Sequence, residues 1–401
     1  MKRYCFILSW PFEVTGGVNQ VVQNLLAEFQ RGEDRLGAPL AMQLGWPAKP
    51  ADTLEGGTPR IFLYLRSPYV AKRAAISAAS FLAHLPGDLL KLRKICRDWN
   101  IGVLNMHFPG VEALTLVLLK KLKLFDGAVV LSLHGSDIRS AFQQKGRARR
   151  IWRFVLRHAS VVVACSEGLK DEALLFEPRA HVIAIYNGID VDRFSAQADP
   201  EFCWPPELAG KKIIINVAQF EFRKGHDILL KAFERVRTAH PDAALVLAGF
   251  PGPVSEAVRA AIRDRGLTDS VFIMERVPHS RIYDLLHHSA VFALATRWRK
   301  GSMGEGFAIA VLEAAAAKLP MVATASCGVE EIIKDGVTGR VVPLEDDAAL
   351  AAAISETLSN PEQARIMADK LYELVRERFT WRTAAEQYAA LMDPSIESRS
   401  R

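Results

Sequence analysis

Short apolar runs alternate with helical patterns along the whole of this 401-residue chain. That alternation restricts the fold more than any other feature, because successive strand–helix units lay strands parallel and cover the sheet with helices. The runs at 3–9, 60–65, 101–106, 127–133, 160–165 and 181–185 predict strands, with helices over 17–31, 68–97, 111–123, 147–158 and 167–176. Periodicity breaks over 193–211, at Ala198-Asp199-Pro200 and Trp204-Pro205-Pro206. A second series then gives strands at 212–218, 244–248, 271–274, 290–294, 320–323 and 339–342. Its helices are expected at 225–239, 254–265, 279–287, 307–317, 346–358 and 361–378, with a last one at 381–392. The pattern therefore predicts an α/β protein of two Rossmann-like domains, 1–192 and 212–378, joined by a linker at 193–211. The segment 379–401 is expected to be a helix and tail packing back toward the N-terminal domain. Ligands of such sheets bind outside the strand C-terminal ends, here on the walls of an interdomain cleft. The loop after the first strand, Thr15-Gly16-Gly17-Val18-Asn19-Gln20, is not Gly-x-Gly-x-x-Gly, and the second sheet opens on Ala218-Gln219-Phe220, so NAD is not expected.

Five cysteines stand singly with no Cys-x-x-Cys, which argues against a disulfide framework or structural zinc and fits a reducing compartment. The apolar stretch after Met1-Lys2-Arg3 is about seven residues, too short for a signal segment, and no run approaches the roughly 20 residues of a membrane span. A cytoplasmic protein is expected. The net charge of +6 is uneven: residues 60–160 hold 18 Lys/Arg against 5 Asp/Glu. The basic residues fall at Lys72-Arg73, Lys91 to Arg97, and Arg147-Arg149-Arg150-Arg153-Arg157, interleaved with Phe81, Leu82, Leu85, Leu89, Leu90, Ile151, Trp152 and Phe154. This suits an amphipathic surface at the inner face of an anionic membrane, and equally a solvated helix face. Without a recognised motif, nucleic acid is not an expected partner.

The segment Gly304-Glu305-Gly306-Phe307-Ala308-Ile309-Ala310-Val311-Leu312-Glu313 places two carboxylates eight positions apart ahead of an alanine run. Residues 307–317 read as a helix starting at Gly306, whose free N–H groups and dipole suit a diphosphate. Glu305 would lie just outside it and Glu313 roughly 12 Å further along the axis. A carboxylate at each end of a bound diphosphate suits paired hydroxyls, one set on a transferred sugar and the other on a ribose.

With Gly16-Gly17, His134-Gly135-Ser136-Asp137, Asn187-Gly188-Ile189-Asp190, Lys224-Gly225, the Glu-x7-Glu run, Asp335-Gly336-Val337-Thr338-Gly339 and Phe379-Thr380-Trp381 in this order, the chain resembles glycosyltransferase family 4. The resemblance spans nearly the whole chain and implies retaining transfer on the two-domain GT-B architecture. It implies donor contacts at Gly16, Gly17, Gln219, Arg223, Lys224, Arg276, Val277, Gly306, Phe307, Ala308, Ile309 and Glu313, with His134, Lys224 and Glu305 as catalytic candidates. Lys224 would offset charge on the departing nucleotide. His134 would touch the donor sugar, and Asp137 caps the next helix. Asn187-Gly188 would turn the chain at the domain junction. The family's Arg five positions before that lysine is Gln219 here, so one phosphate-site charge is missing, and Arg223 is a candidate substitute. The basic loop Arg297-Trp298-Arg299-Lys300 reaches a donor phosphate, an anionic acceptor or solvent.

The expected activity is transfer of a hexose from a nucleoside diphosphate sugar to a glycan or lipid-linked acceptor, as in surface polysaccharide or lipopolysaccharide assembly. The resemblance implies no cofactor and no metal, and there is no Asp-x-Asp to bridge Mg²⁺ to a diphosphate. Same-face attack, assisted by the leaving phosphate, follows from the family alone. Two other readings stay open: a GT-B-like sugar-nucleotide epimerase, and a non-catalytic nucleotide- or carbohydrate-binding protein.

Overall fold

The computed structural model describes residues 2–14, 16–45, 50–196, 199, 201–299, 301, 304, 306–326 and 328–393, with 33, 34, 193, 195 and 196 by their backbone only. The chain forms two compact units, residues 1–187 with 381–401, and residues 188–380. The boundary falls at Asn187-Gly188, so 188–211 belong to the second unit, where 193–211 was expected as a linker. Where the chain crosses, Ile189 donates its N–H to Phe379 O at 2.8 Å and bridges Thr380.

The N-terminal unit holds eight strands: β1 (Arg3–Leu8), β2 (Pro39–Leu44), β3 (Asp52–Thr53), β4 (Pro59–Leu63), β5 (Ile101–His107), β6 (Ala128–Leu133), β7 (Val161–Ala164) and β8 (Val182–Ala184). Their order is β3-β4-β2-β1-β5-β6-β7-β8, parallel except for β3 against β4. Every residue of β5 is buried, as a sheet covered on both faces requires. Helix Gly17–Arg31 turns Val21, Val22, Leu25, Leu26 and Phe29 onto the sheet at the three- and four-residue spacing of one apolar stripe. The C-terminal helix Trp381–Ala390 belongs to this unit and buries Trp381, Ala384, Ala385 and Tyr388.

The second unit carries β9 (Lys212–Val217), β10 (Ala243–Gly249), β11 (Val271–Glu275), β12 (Val291–Leu294), β13 (Met321–Thr324) and β14 (Arg340–Val342). All pair in parallel, in the order β11-β10-β9-β12-β13-β14. Its core gathers Ile214, Leu245 and Leu247 from the strands against Leu229, Leu230, Phe233 and Val236 of helix His226–Ala239. Among the described residues no helix is long and apolar enough to cross a membrane. Among the described residues, Cys5, Cys96, Cys165 and Cys203 form no disulfide.

Candidate active site

In the N-terminal unit, functional candidates sit beyond the ends of β1, β5 and β6. Asn19, 3 % exposed, ties down the loop after β1: its amide donates to Pro11 O and Phe12 O, both at 2.9 Å, and its Oδ1 accepts from Trp10 Nε1. A Cβ at Gly16 or Gly17 would meet none of the described residues within 4 Å, so their packing does not demand glycine there. His134 leaves β6 half-buried. Gly135, at φ 114, is the N-cap of helix Ser136–Gln143. Asp137 does not cap by the usual forward reach. Its carboxylate accepts from His134 N, Gly135 N and Ile138 N at 2.8–2.9 Å, and so braces the turn that presents His134. Burial pushes Asp137 up to about 6 despite those three donors, and pushes His134 down to about 4. The same helix is anchored by Arg139, whose Nε and Nη2 each reach the buried Glu172 carboxylate at 3.0 Å. A cavity of about 440 Å³ opens beside this turn, walled by Trp10, Tyr69, Phe108 and Trp152, with Glu112 and Asp137 among its polar lining and no lysine or arginine among the described residues that line it.

In the second unit, the loop after β9 carries three candidates. Gln219 is exposed, with Gly249 and Gly252 packed so close to this loop that a Cβ would lie 1.9 Å from Ala218 O and 2.3 Å from Phe220 O. Arg223 donates from Nε to Glu221 Oε2 at 2.5 Å, so in this structure its charge is engaged locally. Lys224 precedes Gly225, which adopts φ 66 and lies so near β12 that a Cβ would stand 2.0 Å from Ala295 O. Only glycine lets this loop close there. Arg297, read from sequence as a possible phosphate ligand, is a clamp on the same loop: it grips Asp227 through both carboxylate oxygens at 2.8 and 2.7 Å, donates to Phe222 O, and lies over the Phe222 ring. Its side chain is 7 % exposed, and the paired guanidinium holds Asp227 below its usual range against the opposing effect of burial.

The expected helix at 307–317 is Ile309–Ala316. It starts later because Phe307 and Ala308 stay outside it, Phe307 buried against Phe379 at 5.9 Å and the Gly306–Phe307 backbone packed closely on Gly328. Ala308 is the N-cap, its side chain has nothing to cap this end with, and Val311 N–H is bonded to Ala308 O at 3.0 Å. Glu305 lies outside the described residues, as do Lys300, Ser302, Met303 and Thr15. Glu313 is 7 % exposed, and its Oε1 accepts from His279 Nε2 at 2.7 Å. Tyr283 Oη stands 3.1 Å from His279 Nδ1 and holds the ring in place. One carboxylate oxygen is thus already taken, where the sequence reading left both for a ribose. Arg276, at φ 56, follows β11 with its N–H on Gly249 O, and Val277 stands two residues before His279.

Sequence reasoning missed His279, Asn19, and two buried hydroxyls, Thr296 Oγ1 and Ser326 Oγ, which have no hydrogen-bond partner among the described residues. Those two follow β12 and β13, neighbours in the sheet. Nothing in the local sequence marks them, since Ser and Thr in loops are common.

Residues 204–374 match the family described as glycosyl transferases group 1, and 15–193 match glycosyltransferase family 4. A GDP-mannose-dependent alpha-(1-6)-phosphatidylinositol monomannoside mannosyltransferase of Mycolicibacterium smegmatis is 30 % identical over 68 % of this chain and 71 % of its own. A phosphatidyl-myo-inositol mannosyltransferase of Mycobacterium leprae is 25 % identical over 100 % of this chain and 98 % of its own. Among solved structures, Anabaena HepE in complex with UDP and glucose superposes with TM-score 0.72 at 17 % identity, over 97 % and 99 % of the two chains. The sucrose-phosphate synthase of Thermosynechococcus elongatus gives 0.74 at 18 %, over 98 % of each. With its two parallel-sheet units and these relatives, the chain belongs to glycosyltransferase family 4, has the GT-B fold, and is a glycosyltransferase that uses a nucleotide sugar.

Proposed function

We propose that the enzyme transfers a hexose with retention from a nucleoside diphosphate sugar to a lipid-linked polyhydroxylated acceptor, without a metal or other cofactor. The donor diphosphate rests on the N–H groups at Gly306–Ile309, on Lys224 and on the hydroxyls of Thr296 and Ser326. Glu313 takes the ribose, with Arg276 and Val277 near the base. Glu305 and His134 serve the transferred sugar. The observation that carries this reading is Glu313. A carboxylate so little exposed, on an otherwise apolar helix, needs polar partners, and among the described residues His279 alone is hydrogen-bonded to it. A ribose hydroxyl on Oε2 completes its set.

The acceptor reading draws on two features of the N-terminal unit and on the relatives' names, which specify phosphatidylinositol-type acceptors. The aromatic cavity beside the Asp137 turn has carboxylates and, among the described residues, no cation in its lining, so it suits an uncharged polyol ring. Helix Ala74–Asp98 exposes Ile76, Leu82 and Leu90 next to Lys91, Arg93 and Arg97, the composition of a helix that rests on an anionic lipid surface. Such a protein would work at the cytoplasmic membrane face, in the assembly of lipid-anchored or surface glycans.

The test is a thermal-shift panel of UDP, GDP, ADP and their hexose conjugates, with and without EDTA. A native-state ligand at 100-fold its Kd should stabilise by about 2.7 kcal/mol. One diphosphate class should shift wild type and fail to shift Glu313→Ala, with EDTA making no difference. Product anomers read by NMR then check retention, and isomerised donor in the absence of acceptor would instead support an epimerase.

A further inference from the structure

A file of buried polar side chains crosses the N-terminal unit beneath His134. Tyr388, on the C-terminal helix, donates from Oη to Ser132 Oγ at 3.3 Å. Ser132 passes its own proton to Asn105 Oδ1 at 2.8 Å. The Asn105 amide turns the file round: its Nδ2 donates to Tyr4 Oη at 3.0 Å and to His107 Nε2 at 3.1 Å. His107 Nδ1 then stands 3.1 Å from His134 Nε2. Tyr4, Asn105, His107, Ser132 and Tyr388 are each at most 5 % exposed.

With the Asn105 amide oriented as here, Nδ2 toward Tyr4 and His107 and Oδ1 toward Ser132, proton bookkeeping along the file gives one arrangement. Burial keeps both imidazoles neutral near pH 7, so each ring carries one proton. The amide fills His107 Nε2, so the His107 proton is on Nδ1 and is donated to His134. His134 Nε2 is then an acceptor already in use, and its proton is on Nδ1. We propose that His107 is a positioning residue, the last member of a file that begins at Tyr388, and that it locks His134 in the Nδ1–H tautomer. Locked in this way, His134 offers a ligand a hydrogen-bond donor and has no bare nitrogen left to act as a base. Its part in transfer, which rests on the function proposed above, is to donate to a sugar or phosphate oxygen. The acceptor hydroxyl must lose its proton elsewhere.

Long-range proton–nitrogen NMR on the full chain labelled with ¹⁵N-histidine, without donor or acceptor, tells a protonated ring nitrogen from a bare one. The His134 signals are assigned by their loss in His134→Gln. Wild type should show Nδ1 protonated and Nε2 bare. Asn105→Asp replaces the amide with an acceptor, so His107 must donate from Nε2 and His134 should switch to Nε2–H. His107→Phe keeps the ring that stacks on Phe6, removes the donor, and should give a mixture of tautomers with kcat down at least about tenfold and a smaller change in donor KM. A wild-type His134 protonated on Nε2, or a His134 tautomer unmoved by His107→Phe, overturns the proposal. The wild-type spectrum decides even where a variant fails to fold. Because the spectra need no turnover, a failed transferase assay would count against the function and leave the tautomer assignment standing.

Discussion

At the scale of single residues, His226 joins the loop after β9 to acid stability. It follows Gly225, is 2 % exposed, stacks nearly parallel on Phe220 at 4.7 Å, and has no partner at either ring nitrogen among the described residues. Burial, reinforced by Lys224, pushes it down to about 4. The unfolded chain takes up a proton on this ring near pH 6.5, the folded chain only near pH 4, so the unfolded state gains as pH drops through that window. Stability falls there by up to about 1.4 kcal/mol per pH unit from this group. His226→Phe should remove most of that slope in urea titrations between pH 6.5 and 4.5 while changing stability little at pH 7.5; an unchanged slope would place the acid sensitivity elsewhere. Gly225→Ala belongs to the same scale. Its positive φ and the 2.0 Å approach to Ala295 O together predict a loss of several kcal/mol, on the order of backbone strain plus a buried clash. Lys224 was legible from sequence because a lysine before a glycine at a helix start is a pattern. His279 was not, because its importance lies in touching Glu313, 34 positions away.

Among elements, the strands and helices with strong periodicity were legible and the marginal ones were not. Strand β2 escaped notice because Pro39-Leu40-Ala41-Met42-Gln43-Leu44 is composed mainly of helix-favouring residues, yet it lies beside β1, where burial decides. The start of helix Ile309–Ala316 moved because packing of Phe307 overrode the local propensity of an alanine-rich run. The basic stretches also divide. Arg153 and Arg157 are bound to Glu177, whose side chain is fully buried, and so stitch two helices together. Helix Ala74–Asp98 differs, since Arg93 and Arg97 lie three and seven positions after the exposed Leu90 and share its face. Vesicles containing anionic lipid should bind the protein at low salt and release it as ionic strength rises. The double substitution Arg93→Gln, Arg97→Gln should weaken binding by about 2 kcal/mol, roughly 30-fold. Sedimentation that ignores both salt and these substitutions would remove the electrostatic part of the membrane reading.

For the whole molecule, the chain order and the spatial order disagree in one informative place. The sequence pattern ends its second sheet with β14, and the final helix then rejoins the first unit, a return that the surplus helix suggested but that only packing could establish. Tyr388 meets Tyr4 edge-on at 6.5 Å and tops the polar file under His134, while Trp381 and Leu391 are buried beside it in sequence. Each large apolar side chain returned to water costs about 1.5–3 kcal/mol, so ending the chain at Thr380 removes roughly 5 kcal/mol or more from the N-terminal unit. Against a typical domain stability of about 5–15 kcal/mol, that leaves this unit marginal. The C-terminal unit loses none of its own residues, since it runs from Gly188 to Thr380. Scanning calorimetry, with the stabilising nucleotide added to mark the C-terminal unit's transition, should therefore show the truncated protein losing the N-terminal transition to lower temperature while the nucleotide-dependent one persists. Both transitions unchanged would mean that the last helix adds little to the sheet it covers. Loss of the nucleotide-dependent transition as well would mean that the two units do not unfold independently, and that the proposed donor site depends on a helix outside its own unit.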